Sequence, residues 1–260
     1  MGVKQLFDLT GKVALVTGGS RGLGLQIAEA LGDMGARVAI SARNEKELDA
    51  AAATLTERGI EVLTVVNDLA DPAGKAAEQL ITAVLGRFSR IDILVNNAGT
   101  VWGAPAETHT IEAWRKVMAL NVDACFQLAQ QVATRSMIPN GGGKIINIAS
   151  IAGLQAALPE TGVRTIAYNT SKGAVISFTR ALAAEWGRHN INVNAILPGY
   201  FPSKLSEGLS GLADALRRST PLGRVGGDED MKGIAAFLAS EASRHVTGAA
   251  IPVDGGVTLV

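Results

Sequence analysis

Tyr168 and Lys172 are four residues apart in the stretch Tyr168-Asn169-Thr170-Ser171-Lys172, so they share one face if this stretch is helical. A free tyrosine titrates at about 10 and is protonated at neutral pH. An ammonium group beside it favours the phenolate form. Such a tyrosine could donate or accept a proton at physiological pH. Because the same spacing also occurs in helices where the tyrosine packs and the lysine is solvated, the pair needs support from the rest of the chain.

The elements that must position this pair alternate between strands and helices. The predicted strands are Lys12–Thr17, Arg37–Ser41, Glu61–Val66, Ile91–Val95, Lys144–Ile148, Asn192–Ile196 and Ala249–Val253. The predicted helices are Leu23–Met34, Glu45–Arg58, Pro72–Phe88, 110–136, a helix that carries Tyr168 and Lys172 to about Arg188, and Met231–Ala239. This alternation requires crossover connections. It predicts a single α/β domain over residues 1–260, a Rossmann-type doubly wound parallel β-sheet with helices on both faces.

Polar and glycine-rich segments follow directly after five of the predicted strands. These segments are Ser20–Gly24, Asp68, Asn97–Gly99, Ser150 and Pro198-Gly199. Because ligands of such sheets bind beyond the carboxyl ends of the strands, we expect these residues to meet at one edge.

The turn Thr17–Gly24 lies between the first strand and the first helix. Glycines at 18, 22 and 24 would allow a tight turn and a close approach of the backbone to a pyrophosphate, whose charge the helix N-terminus would favour. A glycine-rich turn alone is weak support, but its position between a strand and a helix favours a dinucleotide site.

The second strand indicates which dinucleotide binds. It ends Ser41-Ala42-Arg43-Asn44, with no carboxylate at the position where an NAD site usually has one. Arg43 would instead meet a 2′-phosphate, and Arg21 is a second candidate. The pattern predicts NADP(H), and the alternative is that both arginines are solvated surface residues.

The composition excludes several classes of protein. The chain has 260 residues with 24 basic and 24 acidic side chains, a balance that argues against binding to nucleic acid. Cys125 is the only cysteine, which suits a cytoplasmic protein. No apolar run approaches the length of a membrane span. The histidines at 109, 189 and 245 lack metal-ligand spacing, so no metal is expected.

Taken together, these segments resemble the short-chain dehydrogenase/reductase family over nearly the whole chain. The matching pieces are Thr17–Gly24, Asp68-Leu69, Asn96–Gly99, Asn121, Ser150, Tyr168 with Lys172, Pro198-Gly199, Pro221–Arg224, Thr247-Gly248 and Asp254–Gly256. Within the family, the chain most resembles bacterial 3-oxoacyl-thioester reductases and gluconate 5-dehydrogenase-like enzymes.

The resemblance implies a role for each of four catalytic residues. Tyr168 would be the general acid in reduction and the general base in oxidation. Lys172 would favour its phenolate and bind the nicotinamide ribose. Ser150 would polarise the substrate carbonyl, and Asn121 would position a water that relays protons to Lys172.

The resemblance also implies a set of binding residues. The cofactor would contact Gly18, Ser20, Arg21, Gly22, Leu23, Gly24, Arg43, Asp68, Leu69, Asn97, Ala98, Gly99, Tyr168, Lys172, Pro198, Gly199 and Phe201. The substrate would contact Ser150, with Trp102 and Tyr200 as further candidates that could equally be packing residues. Relatives are commonly homotetramers, so a homotetramer or homodimer is implied.

One departure from the family concerns the segment between Ser150 and Tyr168, which is several residues longer than usual. It predicts a substrate-side loop at about 151–167, with the extra residues within 156–166, and a further mobile segment is expected at about 200–222. The loop is either decoration or part of the substrate wall.

The leading hypothesis is an NADPH-dependent reductase of a ketone or 3-oxoacyl thioester. The alternatives are a polyol or sugar-acid dehydrogenase that uses the same residues, and a non-catalytic cofactor-binding scaffold.

Overall fold

One parallel sheet organises the chain in the computed structural model, which describes residues 2–71, 73–156, 162–202 and 213–259. Its strands are β1 (Val13–Thr17), β2 (Arg37–Ala42), β3 (Val62–Val66), β4 (Ile93–Asn96), β5 (Gly143–Ile148), β6 (Ile191–Pro198) and β7 (Ala250–Val253). They are hydrogen-bonded in the order β3-β2-β1-β4-β5-β6-β7, and all neighbours run parallel. The predicted doubly wound parallel sheet is therefore confirmed.

Helices connect the strands and cover both faces of the sheet. They are α1 (Val3–Leu6), α2 (Gly22–Asp33), α3 (Glu45–Glu57), α4 (Lys75–Phe88), α5 (Ile111–Met118), α6 (Ala124–Val132), α7 (Ile166–Trp186), α8 (Ala213–Arg218) and α9 (Lys232–Ala239). Within the described residues, no helix combines the length and the apolar character needed to cross a bilayer.

The long helix predicted over 110–136 is continuous but not uniform. Two π-helical turns, Ala119–Asp123 and Ala133–Met137, follow α5 and α6 respectively. Such turns are rare and are frequently found at functional sites. The apolar periodicity of the sequence did not predict these turns.

The helix predicted to begin at Pro72, a residue outside the described ranges, begins at Lys75. The carboxylate of Asp71 accepts hydrogen bonds from two backbone N–H groups of this turn. Gly74 then has a φ of +73°, a left-handed conformation that the helix cannot include.

The two segments expected to be loops are partly regular. Ile151–Gly153 forms a 3-10 turn, and α7 already begins at Ile166. The short helices α1 and α8 were not predicted, and α8 lies in the segment expected to be mobile. Residues 157–161 and 203–212 lie outside the described ranges.

Successive residues of the central strands pack into two separate cores. Ala14 and Val16 of β1 pack with α2, α3 and α9, whereas Val13 and Leu15 pack with α4, α6 and the C-terminal half of α7. All four side chains are fully buried. Burial of one such aliphatic side chain contributes about 1.5–3 kcal/mol, so the apolar strands are held between two layers of helices.

A chain of buried amides attaches α7 to the middle of the sheet. Asn96 Nδ2 of β4 donates to Asn147 Oδ1 of β5, and Asn147 Nδ2 donates to Thr179 Oγ1 of α7, both at 2.9 Å. Thr179 Oγ1 in turn donates to the carbonyl of Val175. These residues are at most 3% exposed, so the bonds fix the rotation of the helix that carries Tyr168.

Candidate active site

Tyr168 and Lys172 lie one turn apart near the beginning of α7. Lys172 is 5% exposed, and its Nζ donates a 2.7 Å hydrogen bond to the backbone carbonyl of Ile148, the last residue of β5. The same Nζ lies 5.6 Å from the centre of the Tyr168 ring. An ammonium has further N–H donors, which this contact leaves available. The structure thus holds a positive charge beside the tyrosine ring and fixes it at the carboxyl end of the sheet.

Ser150 follows β5 and precedes the 3-10 turn Ile151–Gly153. Its Oγ accepts a 3.1 Å hydrogen bond from the backbone N–H of Ala152, and the residue is 8% exposed. A hydroxyl that accepts in this way keeps its own O–H as a donor. The oxygen is therefore held in place, and its proton can be directed to a substrate oxygen.

The turn after β5 is held against α7 by contacts that sequence reasoning missed. Asn169 Nδ2 donates to the carbonyls of Ala152, at 2.9 Å, and Gln155, at 3.3 Å. Gly153 approaches α7 so closely that a Cβ atom on it would lie 2.7 Å from the carbonyl carbon of Lys172. The position of Asn169 next to Tyr168 was the only local signal, because the contacts span 14 and 17 residues.

Asn121 lies in the first π-helical turn and braces two other segments. Its amide exchanges two hydrogen bonds with the backbone of Thr100, at 2.8 and 2.9 Å, and donates a third to Ser171 Oγ at 2.9 Å. Ser171 Oγ donates to the carbonyl of Tyr168. The Asn121 side chain thus links the loop after β4 to α7, and its water-relay role stays a prediction. Ser171, which completes this link, was not among the predicted site residues.

Gly99 keeps a space open between Asn121 and Lys172, the residues of the predicted proton relay. A Cβ atom at this position would lie 3.3 Å from Asn121 Oδ1 and 3.7 Å from Lys172 Nζ. Any side chain here would therefore fill the volume that lies between the amide and the ammonium.

The glycine-rich turn after β1 is shaped for close backbone contact. A Cβ atom on Gly24 would lie 2.2 Å from the carbonyl oxygen of Gly18, so α2 can approach the turn only with glycine there. Gly22 has a φ of +53° and faces open space. Arg21 is the residue before α2, and its side chain does not cap the helix by a hydrogen bond. Backbone N–H groups of the first turn therefore remain available to bind an anion. These features fit a dinucleotide pyrophosphate.

Thr17 and Asn97 join the turn after β1 to the turn after β4. Thr17 Oγ1 accepts from the backbone N–H groups of Asn97 and Ala98, at 3.0 and 3.1 Å. Asn97 Nδ2 donates to the carbonyls of Thr17 and Gly18, at 2.9 and 3.0 Å. Two segments about 80 residues apart therefore form one rigid rim at the edge of the sheet.

The residues predicted to meet the 2′-phosphate flank the end of β2. Arg43 is exposed just after this strand. Arg21 is also exposed, and its Nη1 lies 3.3 Å from Glu47 Oε1 of α3. Ser20 Oγ lies 3.4 Å from the other carboxylate oxygen of Glu47. Glu47 was not among the predicted residues, and its contacts with this turn depend on the packing of α3 beside α2.

The remaining predicted cofactor residues occupy varied environments. Leu23 is partly buried against the core formed by α2, α3 and α9, Leu69 is buried among residues of α4 and α6, and Phe201 is buried with α9. Asp68 is exposed after β3, and its carboxylate accepts from the Ala70 N–H. Pro198 ends β6, and the backbone N–H of Gly199 donates to the carbonyl of Val253.

Trp102 and Tyr200, the predicted substrate residues, lie in different surroundings. Trp102 is 44% exposed, with Lys116 Nζ at 5.5 Å from its ring centre. Its loop is tied to the start of α7 by a hydrogen bond from Ala104 N–H to the carbonyl of Arg164. Tyr200 lines a cavity of about 580 Å³ beside β7, and burial raises the pKa of its phenol. Among the described residues that line this cavity, none belongs to the cluster around Tyr168.

Comparison with known proteins identifies the family. A family model described as enoyl-(acyl carrier protein) reductase matches residues 18–258. The gluconate 5-dehydrogenase of Gluconobacter oxydans is 41% identical over 258 residues, which are 98% of each chain. The chain belongs to the short-chain dehydrogenase/reductase family. It is an NAD(P)-dependent oxidoreductase that acts on CH–OH groups of a small-molecule substrate.

Other members of the family differ in what they act on. A 3-oxoacyl-[acyl-carrier-protein] reductase of rhamnolipid biosynthesis from Pseudomonas aeruginosa is also 41% identical, over 97% of this chain and 98% of its own. The crystal structure of a gluconate 5-dehydrogenase from Burkholderia cenocepacia, in complex with NADP and tartrate, has a TM-score of 0.91 and 37% identity over both whole chains. Family membership therefore fixes the reaction class, while overall identity is equal for two different kinds of substrate.

Proposed function

We propose that this enzyme is an NADPH-dependent reductase of apolar ketones, with 3-oxoacyl thioesters as the favoured class. The proposal is supported by an apolar rim, defined as the exposed side chains of Trp102, Leu154 and Ile166. Trp102, Leu154 and Ile166 are 44–52% exposed, although such large apolar side chains are more often buried. They belong to the loop after β4, which is hydrogen-bonded to Asn121, to the segment after β5, which carries Ser150, and to the first turn of α7, which contains Tyr168. A rim of this kind favours an acyl or aryl group over a polyhydroxylated chain.

The residues of the site provide what carbonyl reduction requires of a protein. Negative charge develops on the carbonyl oxygen as the hydride arrives, and the hydroxyls of Ser150 and Tyr168 would stabilise it by donating hydrogen bonds. Tyr168 would then complete the transfer of its proton to that oxygen. Lys172 would stabilise the resulting phenolate and bind the ribose with its remaining donors. When bound, the nicotinamide supplies the hydride.

NADP(H) as the cofactor is supported by charge at the end of β2. Arg43 and Arg21 offer guanidinium groups where the adenosine ribose would lie, and each charge-assisted hydrogen bond contributes about 1.5–3 kcal/mol. The gluconate 5-dehydrogenase structure that contains NADP is consistent with this assignment. One good contact would favour NADPH over NADH by roughly ten- to a hundredfold.

A second candidate function is oxidation of a sugar acid or its reverse. It is favoured by the 41% identity to gluconate 5-dehydrogenase and by the tartrate in the related structure. The same Ser150, Tyr168 and Lys172 would serve both reactions. The apolar rim of Trp102, Leu154 and Ile166, and not the catalytic residues, therefore distinguishes the two candidate functions.

Both candidate functions can be tested by initial rates of NADPH and NADH oxidation, with acetoacetyl-CoA, a sugar-acid ketone and an aryl ketone as substrates. The proposal expects NADPH-dependent turnover of the thioester or the aryl ketone. Tyr168→Phe should retain NADPH binding and lose at least about a hundredfold in kcat. Turnover of the sugar-acid ketone alone would replace the first candidate by the second.

We also propose that the chain forms a homotetramer through α6 and α7. Phe126 of α6 is 50% exposed and meets Phe178 of α7 edge-on, with ring centres 6.4 Å apart. Sedimentation at micromolar concentration tests this proposal, since a monomer would overturn it and Phe126→Lys should shift the species towards smaller assemblies.

A further inference from the structure

Glu47 places a carboxylate beside two groups of the glycine-rich turn. It lies in the first turn of α3, where its backbone N–H donates to Asn44 Oδ1 at 3.2 Å. Its Oε1 lies 3.3 Å from Arg21 Nη1, and its Oε2 accepts from Ser20 Oγ at 3.4 Å. Ser20 and Arg21 follow β1 whereas Glu47 follows β2, so the contact crosses the region where the adenosine ribose would lie.

This carboxylate would have opposite effects on the binding of NADP(H), whose ribose carries a 2′-phosphate, and of NAD(H), whose ribose carries a 2′-hydroxyl. A 2′-phosphate would compete with Glu47 for Arg21 and would also be repelled by the negative charge. A 2′-hydroxyl would instead find an acceptor, which is how acidic residues near this strand serve NAD sites. Glu47 lies four residues beyond Arg43, in a helix rather than at the strand end, so the strand-end pattern does not reveal it.

We propose that Glu47 is a specificity-determining residue that weakens the preference for NADP(H) over NAD(H). The inference rests on the proposed NADP(H) site at Arg21 and Arg43. Its magnitude is limited by solvent, because the Arg21 and Glu47 side chains are 49% and 28% exposed. An exposed ion pair of this kind changes affinity by a factor of about 1.5–5.

The test is a titration of the wild-type enzyme, Glu47→Gln and Glu45→Gln with NADPH and with NADH, followed by nucleotide fluorescence. Glu47→Gln keeps the size of the side chain and keeps the backbone N–H that Asn44 caps. Glu45 lies in the same first turn and is exposed, so Glu45→Gln is the matched control for the loss of a negative charge at the helix N-terminus.

Glu47→Gln should bind NADPH about 1.5- to fivefold more tightly, with NADH binding unchanged or weaker. Glu45→Gln should leave the ratio of the two dissociation constants within about 1.5-fold of the wild-type value. If Glu47 has a purely structural role, Glu47→Gln should weaken the binding of both cofactors equally, and that result would overturn the inference. An unchanged ratio in Glu47→Gln would overturn it as well.

A further variant, Arg43→Met, separates this inference from the assignment on which it rests. If Arg43→Met weakens the binding of NADPH alone while Glu47→Gln leaves the ratio of the two dissociation constants unchanged, only the role proposed for Glu47 is wrong. If the wild-type enzyme prefers NADH and Arg43→Met has no effect on either cofactor, the NADP(H) assignment itself is wrong.

Discussion

Replacement of Gly153 by alanine should separate Ser150 from Tyr168 and Lys172, the two halves of the proposed catalytic cluster. The added Cβ would lie 2.7 Å from the carbonyl carbon of Lys172 and 2.8 Å from the backbone nitrogen of Gly173. These are backbone atoms of α7, which cannot rotate away. To regain an ordinary 3.4 Å contact, the turn must retreat by about 0.7 Å (3.4 minus 2.7), and Ser150 would retreat with it.

The energetic cost follows from overpacking, which destabilises by about 1–3 kcal/mol. For a chain of this size the melting temperature should fall by about 2–12 °C. Because a displacement of about 1 Å costs on the order of a hundredfold in rate, kcat should fall by about 10- to 100-fold. Initial-rate kinetics with saturating NADPH and differential scanning calorimetry would measure these two effects.

Gly173→Ala is the matched control, because it adds a methyl group to the opposite side of the same contact. Its Cβ would meet only the Gly153 carbonyl oxygen, at 3.4 Å, and alanine favours the helix by about 1 kcal/mol. Gly173→Ala should therefore keep its activity and melt at the same temperature or a few degrees higher. Wild-type activity in Gly153→Ala, or equal loss of activity in both variants, would show that the close contact of Gly153 with α7 does not position Ser150.

Three further predictions concern single side chains. Arg43→Met should weaken NADPH binding by roughly ten- to a hundredfold, the contribution of one charge-assisted bond, and equal weakening of NADH in the same titration would contradict this. Asn169→Asp removes the N–H donors to Ala152 and Gln155 but keeps the acceptor for Thr165 Oγ1; stopped-flow and binding measurements should show kcat falling while NADPH affinity is retained. Burial raises the pKa of the Cys125 thiol from 9.0 to about 11, so a disulfide reagent at pH 8 should label it only after unfolding. Because the thiol of the unfolded chain ionises from about pH 9 and the buried thiol only from about pH 11, the free energy of unfolding should fall as the pH rises from 9 to 11. Melting temperatures of the wild type and Cys125→Ala over this pH range would measure that loss, which the variant should lack.

Much of the fold could be predicted because the signals are local. Every strand begins and ends within two residues of its predicted bounds, since runs such as Ile93-Leu94-Val95 must be apolar to be buried on both faces. The bounds of α4 were less accurate, because the turn around Gly74 depends on side-chain hydrogen bonds of Asp71. The π-helical turn at Asn121 left no trace in the apolar pattern.

The family, the parallel sheet and the placement of Ser150, Tyr168 and Lys172 at one edge of that sheet were predicted from the residues alone, because the order of strands along the chain and the spacing within a helix can be read from local patterns. The contacts by which Asn169 and Gly153 hold the turn after β5 against α7, and the contact between Glu47 and Arg21, are revealed only by the folded structure. These contacts join residues 14–26 positions apart, on elements that touch only after packing. Which side chains meet across such an interface depends on the rotation and approach of whole helices, and no single segment of the chain specifies that geometry.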